Sequence, residues 1–578
     1  MSKRETSGKA NRFQDDNASM DRRANGSTST SKRSGKKSRS TRRGNNSNYR
    51  KPSGSDGSEK QAAGYSGNHS GWYDADPKLT QDVSNVFFSY RTGDKMPVAM
   101  KMTSITGTDS HALGYDTVPF VMPGILSIGY TPVYGNLSSA QSAGNIASTA
   151  VYSFVRHANS GSRNYDHVDY MLYLMAMDSI YSAIVYCQRL IATVMTFNRW
   201  NTYTPNALLT AMGCQPTDGI AGELPEMRFR LNSMILKATT LAVPAAFPIY
   251  ERHAFMNSNV YVDEPNDTAQ FYLFTPRQLY QFAYDTSNAG YLKLVDFATN
   301  DAANAAALRT WRQLFDITEG LINSVYGDED AGIMSGDTLK AYGESGLVHL
   351  ATVPSDLALV PVYDHDMLEQ IHNATLHGKL IKPATATADP GIYQVNPAPN
   401  VSGPYLSNSF SVTNAIAATA STSAHSVLLD LHQEPSPEAV MRATRLMNHI
   451  VFKQAGADAQ VPEIDWALSE LSSEIANDCA VYWFTNTGTI AGTRFDRNYW
   501  GDANSFGVTG VEAWVRITTF SLHPTLWVLP KFDGTRPAIA LPLASLDRAT
   551  ALSFASLDRL NQAALLGLFN VPRLTLAK

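Results

Sequence analysis

Between Val168 and Met195 the apolar residues surround a helical axis almost completely, with Asp169, Asp178, Gln188 and Arg189 as interruptions. A helix that is apolar on nearly every side has to be enclosed. The interruptions leave no window close to the roughly 18 uncharged residues a membrane span needs, so the stretch predicts a helix at the centre of a large domain. Asn164 is the expected cap, with Asp166 and Asp169 in the first turn, where carboxylates suit the macrodipole. A central helix of this kind needs a thick coat of other elements, and 578 residues supply it. With 43 % apolar and 17 % charged residues, a disordered chain and a coiled-coil rod are both excluded.

The coat is read as mainly helical with some strand. Ser436 ahead of Pro437 and Glu438 signals a helix start, followed by Val440, Ala443, Met447, Ile450 and Val451 at helical spacing. Glu463 to Asp478 is expected to be helical through Ile464, Leu468, Leu471 and Ile475. Leu308, Trp311, Leu314, Phe315, Ile322 and Val325 mark a further helix, and Ser545 to Leu568 a last one. Strands are expected at 259–262, 347–362, 480–485 and 512–529. From about 382 to 426 the composition turns to Ala, Thr, Ser and Asn with five prolines, which predicts exposed loops or edge strands.

Charge divides the chain in two. Residues 1–60 hold sixteen Lys/Arg and six Asp/Glu, a net of +10, while the other 518 hold 31 and 46, a net of −15. The basic segment has little apolar content with which to offset its ordering entropy, so it is expected to be a disordered arm. Lys32, Arg33, Lys36, Lys37, Arg39, Arg42 and Arg43 are its densest cluster and the candidate nucleic-acid-binding residues. Such cations follow a phosphate backbone without reading sequence. A solubilising tail and a nuclear-localisation signal are the bland alternatives. The start of the chain has no apolar segment that would make a secretory signal, so Asn136 and Asn373 are expected to stay unglycosylated. Cys187, Cys214 and Cys479 lack metal or disulfide spacing, which fits a reducing compartment.

Catalytic patterns fail one by one. Tyr326-Gly327-Asp328-Glu329-Asp330 resembles a polymerase metal turn, but the extra Glu spoils the spacing and the body is acidic. Asp364-His365-Asp366 with His372 and His377 is the best metal candidate, yet Met367, Leu368 and Ile371 look like the core face of a helix that the acidic pair begins. Gly332-Ile333-Met334-Ser335-Gly336 is no nucleophile elbow. Arg156-His157, Arg252-His253 and Asp178 are read as buried charges, with Asp178 expected to pair with an arginine. No enzyme activity, metal or cofactor is assigned.

Several segments together carry a resemblance: Tyr152-Ser153-Phe154-Val155-Arg156-His157-Ala158-Asn159-Ser160-Gly161 running on through Asn164-Tyr165 to Asp178-Ser179, Tyr250-Glu251-Arg252-His253-Ala254 with Tyr261-Val262-Asp263, the segment 327–337, and the closing Phe569-Asn570-Val571-Pro572. The chain resembles the capsid proteins of picobirnaviruses, which enclose double-stranded RNA. The resemblance implies a mainly α fold with some β, divided into a helical shell domain and a projecting domain richer in loops and strands. Laid onto this sequence, it gives 1–62 as the RNA-facing arm, 63–350 as the main part of the shell, 351–519 as the projection and 520–578 as a return to the shell.

The resemblance also implies symmetric dimers, an icosahedral shell, RNA held by the arm, and a protein found in the virion and assembled in the host cytoplasm. Some members of the family cleave their own N-terminal arm and perturb membranes, so transient membrane contact during entry is a further expected partner. Asn68 and Asn85 have the chemistry for such cleavage, with no site assigned. The rival from another class is a non-viral RNA-binding adaptor with a basic tail.

Overall fold

The helix His167–Met195 runs for 29 residues, about 43 Å at the usual rise, and every residue from Tyr170 to Cys187 is buried. By length and composition it would pass for a membrane span; its whole apolar window is instead buried inside the protein. The computed structural model describes residues 95–98, 118–121 and, with short interruptions, 124–574. The chain divides into two units, Met1–Asn85 and Val86–Lys578, and every described residue lies in the second. The arm cations Lys32 to Arg43 lie outside the described residues.

In chain order the helices are α1 (Ala143–Ala158), α2 (His167–Met195), α3 (Tyr203–Ala211), α4 (Leu224–Ala238), α5 (Pro248–Ser258), α6 (Trp311–Tyr326), α7 (Glu329–Tyr342), α8 (His365–His372), α9 (Pro437–Ala443) and α10 (Phe554–Leu568). Helices α1, α3, α4, α5 and α6 pack around α2. Its polar side chains pin these neighbours. Tyr173 Oη donates to the Ala242 carbonyl at 2.9 Å, and Ser179 Oγ accepts the Tyr280 N–H at 3.1 Å. Arg189, buried and with no ion pair among the described residues, donates to the carbonyls of Asn259 (3.0 Å), just past α5, and Phe274 (2.7 Å). These buried polar groups on the helix each fix a neighbouring element. The cap is Asp166, two residues beyond the expected Asn164; its N–H donates to Asp169 Oδ2 at 2.9 Å, and Asn164 itself is not among the described residues.

One face of this helical body meets a five-stranded sheet made of β3 (Ile125–Pro132), β4 (Tyr261–Val262), β5 (Phe271–Pro276), β15 (Glu474–Phe484) and β16 (Ile490–Phe495), in the order β16-β15-β3-β5-β4. Strand β3 is buried along its full length, parallel to β5 and antiparallel to β15. A second sheet has the order β10-β9-β7-β6, from β6 (Gln278–Tyr284), β7 (Gly290–Asp296), β9 (Gly391–Val395) and β10 (Tyr405–Ser409). Smaller pairings join β1 (Lys95–Val98) to β2 (Val118–Val121), β8 (Leu380–Ile381) to β11 (Ser411–Val412), β12 (Ser426–Leu429) to β20 (Thr550–Ser553) and β13 (His449–Gln454) to β14 (Pro462–Ala467). Strands β17 (Tyr499–Trp500), β18 (Leu526–Val528) and β19 (Leu541–Leu543) complete the set. The expected class, mainly α with some β, is the class found.

Several local expectations are corrected. The segment 463–478 is not helical: it contributes to β14 and β15, and residues 471–482 are all buried. A strand covered on both faces loses the two-residue alternation that identifies it, and a bulge at Asn477 breaks the remaining period. The helix begun at Ser436 stops at Ala443, and Ile450 and Val451 belong to β13. Residues 347–362 form no ladder; isolated bridges Pro244↔Leu347 and Tyr261↔Val362 hold their ends. In 512–529 only Leu526–Val528 is strand among the described residues, and Trp514 lies outside them. The last helix begins at Phe554, after β20.

Candidate functional site

The five residues of the sequence-level metal candidate part company in the fold. Asp364 caps α8, accepting the Met367 N–H at 2.9 Å, and Met367, Leu368 and Ile371 are core. Asp366 pairs with Arg442 at 2.8 Å, and His365 reaches Glu369 at 3.2 Å. His377 is buried where its N–H meets the Ala476 carbonyl at 3.0 Å; burial, with His449 nearby, lowers its pKa to about 3. The structural reading of this motif therefore holds for four of its members.

His372, the fifth, meets two residues that the sequence did not single out. Its Nε2 lies 3.1 Å from Asp430 Oδ2, and His432 Nδ1 lies 3.8 Å from the same oxygen. Among the described residues these three bring their possible ligand atoms within 4.8 Å of one another. The signal available in sequence was Asp430-Leu431-His432 just past the apolar Val427-Leu428-Leu429, but nothing local connects it to His372 across 58 residues.

The larger buried charge cluster lies between α2, α5 and β15. His253 approaches Asp178 through Nδ1 at 2.6 Å and Glu474 through Nε2 at 2.9 Å, and Arg252 holds Glu474 with two contacts of 2.8 and 2.7 Å. Tyr134 donates its hydroxyl to Asp178 at 2.7 Å. The expected arginine partner of Asp178 is thus corrected: a histidine one turn into α5 fills that place, because the α2–α5 packing brings residue 253 opposite residue 178. Burial alone would lower the His253 pKa, but the two carboxylates raise it to about 9. Burial would raise that of Glu474, and Arg252 with His253 pulls it well below the usual carboxylate range. Both imidazole nitrogens face acceptors, so the group is an imidazolium held between two anions, with no nitrogen left to act as a base.

A second pair sits one step along β15. Arg277 Nη2 donates to Asp478 Oδ1 at 2.8 Å, and Arg494 reaches Oδ2 at 3.2 Å. A Cβ on Gly129 would collide with both Arg277 and Asp478, so glycine lets this pair lie against the backbone of β3. The acidic turn and the Gly-Ile-Met-Ser-Gly segment also prove structural. Asp328 caps α7 through the Ala331 N–H at 2.8 Å, and Ser335 Oγ accepts the Ala242 N–H at 2.7 Å. A cleft of about 600 Å³ between β6, β7 and β8 contains two ion pairs, Lys293 with Asp389 at 2.8 Å and Lys379 with Asp296 at 2.5 Å, and is also lined by Arg309 and Lys382.

These clusters tie distant segments into one body and present no nucleophile with its base. A model of the picobirnavirus capsid protein family matches residues 72–498. The chain belongs to the picobirnavirus capsid protein family. The resemblance carried by the Tyr152–Ser179, Tyr250–Asp263 and 327–337 segments is thereby borne out. A capsid protein precursor of a human picobirnavirus (strain Human/Thailand/Hy005102/-) is 29 % identical over 513 residues, covering 87 % of this chain and 91 % of the relative. The X-ray crystallographic structure of the picobirnavirus capsid matches with a TM-score of 0.68 at 21 % identity, over 87 % of this chain and 98 % of that one, so the two share a fold. As a picobirnavirus capsid protein the chain has a structural rather than a catalytic role, belongs to the virion, and has further copies of itself as its partners. The adaptor reading gives way to this one.

Proposed function

We propose that the chain forms symmetric dimers that build an icosahedral shell around double-stranded RNA, and that the arm, through Lys32, Arg33, Lys36, Lys37, Arg39, Arg42 and Arg43, binds that RNA without reading its sequence. The observation that carries the proposal is the charge division: +10 in residues 1–60 against −15 in the rest of a capsid protein. An acidic body repels RNA, so attraction has to come from the arm. Seven phosphate contacts give a salt slope of about −5 on single strands. Sixty residues of Gly/Ser-rich coil reach roughly 40 to 50 Å, enough to follow RNA away from the wall of a shell.

The division into a shell (63–350 with 520–578) and a projection (351–519) belongs to the same proposal, with β15 and β9 as strands of the second segment that pair into sheets of the first. Assembly in the host cytoplasm and brief membrane contact on entry complete it. Electron microscopy of the purified full-length protein, with absorbance at 260 and 280 nm on the same sample, tests the reading. Uniform spherical shells with excess absorbance at 260 nm are expected; a monodisperse monomer or dimer across salt and pH conditions would overturn it.

A further inference from the structure

We propose that His372, Asp430 and His432 bind one divalent cation of the zinc class, and that this ion fastens the C-terminal segments to the middle of the chain. The proposal rests on where each ring places its hydrogens. His372 Nδ1 lies 2.9 Å from the His523 carbonyl and His432 Nε2 lies 3.0 Å from the Ser545 carbonyl. A carbonyl only accepts, so each of those nitrogens carries the N–H. When both rings are neutral, His372 Nε2 and His432 Nδ1 are therefore the lone-pair nitrogens, and these two face the same oxygen, Asp430 Oδ2. An imidazole N–H given to a backbone carbonyl, with the other nitrogen turned inward, is how proteins orient metal-binding histidines.

The spacing agrees. Zinc bonds of 2.0 to 2.2 Å in a tetrahedron set ligand atoms roughly 3.3 to 3.5 Å apart. The two separations from Asp430 Oδ2, 3.1 and 3.8 Å, bracket that value, and all three ligand atoms lie within 4.8 Å of one another. Two imidazoles and a carboxylate are a borderline donor set that suits zinc better than calcium or magnesium, which prefer oxygen. The site is also built rather than incidental. His372 and Asp430 are buried, and the His432 side chain is 20 % exposed, which leaves an approach on its side for the ion and a fourth ligand from solvent.

Asn373 clamps the Asp430 backbone in both directions, receiving its N–H at 3.0 Å and donating to its carbonyl at 2.8 Å. Glu369 accepts the His432 N–H at 2.7 Å, and the Asp547 N–H lies 3.1 Å from each Asp430 carboxylate oxygen. The ligands and their supports thus come from α8, the turn after β12, and the segments around 523 and 545. A proton between Asp430 and His372 is the other way to relieve two facing acceptors, and the test separates the two.

Full-length protein is treated with EDTA, desalted, equilibrated with zinc sulfate and gel-filtered, and the retained zinc is counted per chain. Thermal unfolding is followed with zinc and, separately, with magnesium. The wild type and a His157→Gln control, at an exposed position on α1, are expected to keep about one zinc per chain and to unfold at a higher temperature with zinc than with magnesium. His432→Gln, at a partly exposed position, is expected to lose zinc about tenfold or more and to lose the thermal shift. Equal zinc retention in His432→Gln and wild type would overturn the site. Should that variant not fold, a wild type that retains no zinc and shows no zinc-specific shift overturns it equally.

Discussion

At His253 two opposing effects meet, and charge prevails over burial. Its folded pKa of about 9 stands above the roughly 6.5 of an unfolded histidine, so its stabilisation is complete below about pH 6.5 and is lost as pH rises through about 9. Glu474 has the opposite sign. Its pKa is depressed, so its contribution is present above the unfolded carboxylate value and fades as pH falls below it. Urea midpoints measured from pH 4 to pH 10 are expected to peak between these limbs. In His253→Leu the two buried carboxylates face each other without the imidazolium; the expected cost is about 3 to 5 kcal/mol, and the alkaline limb should flatten. A variant whose midpoint still falls steeply above pH 8 would place that titration elsewhere. At Gly129, Ala is expected to cost about 1 to 3 kcal/mol by forcing Arg277 and Asp478 apart, measured by the same unfolding curves.

Helix α2 and strand β15 show what an element reveals of itself. The helix was legible because its composition leaves no wet face, and α6 because Trp311, Leu314, Phe315, Ile322 and Val325 form an apolar stripe, which the structure caps with Thr310 and Gln313. Strand β15 was not, since burial on both faces and the Asn477 bulge erase its period. The bulge also anchors the strand. Asn477 accepts from Thr131 Oγ1 at 2.8 Å and donates to the Gly378 carbonyl at 2.9 Å, leaving Glu474 and Asp478 each beside its own arginine. Deleting Asn477 leaves the pairs in place, with Ala476 opposite Tyr130 and Asp478 opposite Gly129 now consecutive, and removes the bonds to Thr131 and Gly378. The deletion and Asn477→Ala are each expected to cost about 1 to 3 kcal/mol through the unpaired Thr131 hydroxyl and Gly378 carbonyl, checked by urea unfolding. On α8, Asp364→Ala removes a cap and should cost about 1 kcal/mol in the same unfolding assay.

Across the whole molecule, the charge division predicts that removing residues 1–60 leaves assembly intact while lowering the RNA content of the particles. Absorbance ratios of particles from both chains check it, and equal ratios would move packaging to another segment. The buried helix, the basic arm and the family could all be read along the chain, because apolar periodicity, charge density and contiguous motifs are properties of neighbouring residues. The partner of Asp178, the strand at 474–484 and the meeting of His372 with Asp430 and His432 could not. Those contacts join residues from 58 to more than 220 positions apart. Their formation depends on the path of the backbone between them, which packing of the completed core selects and no local pattern records.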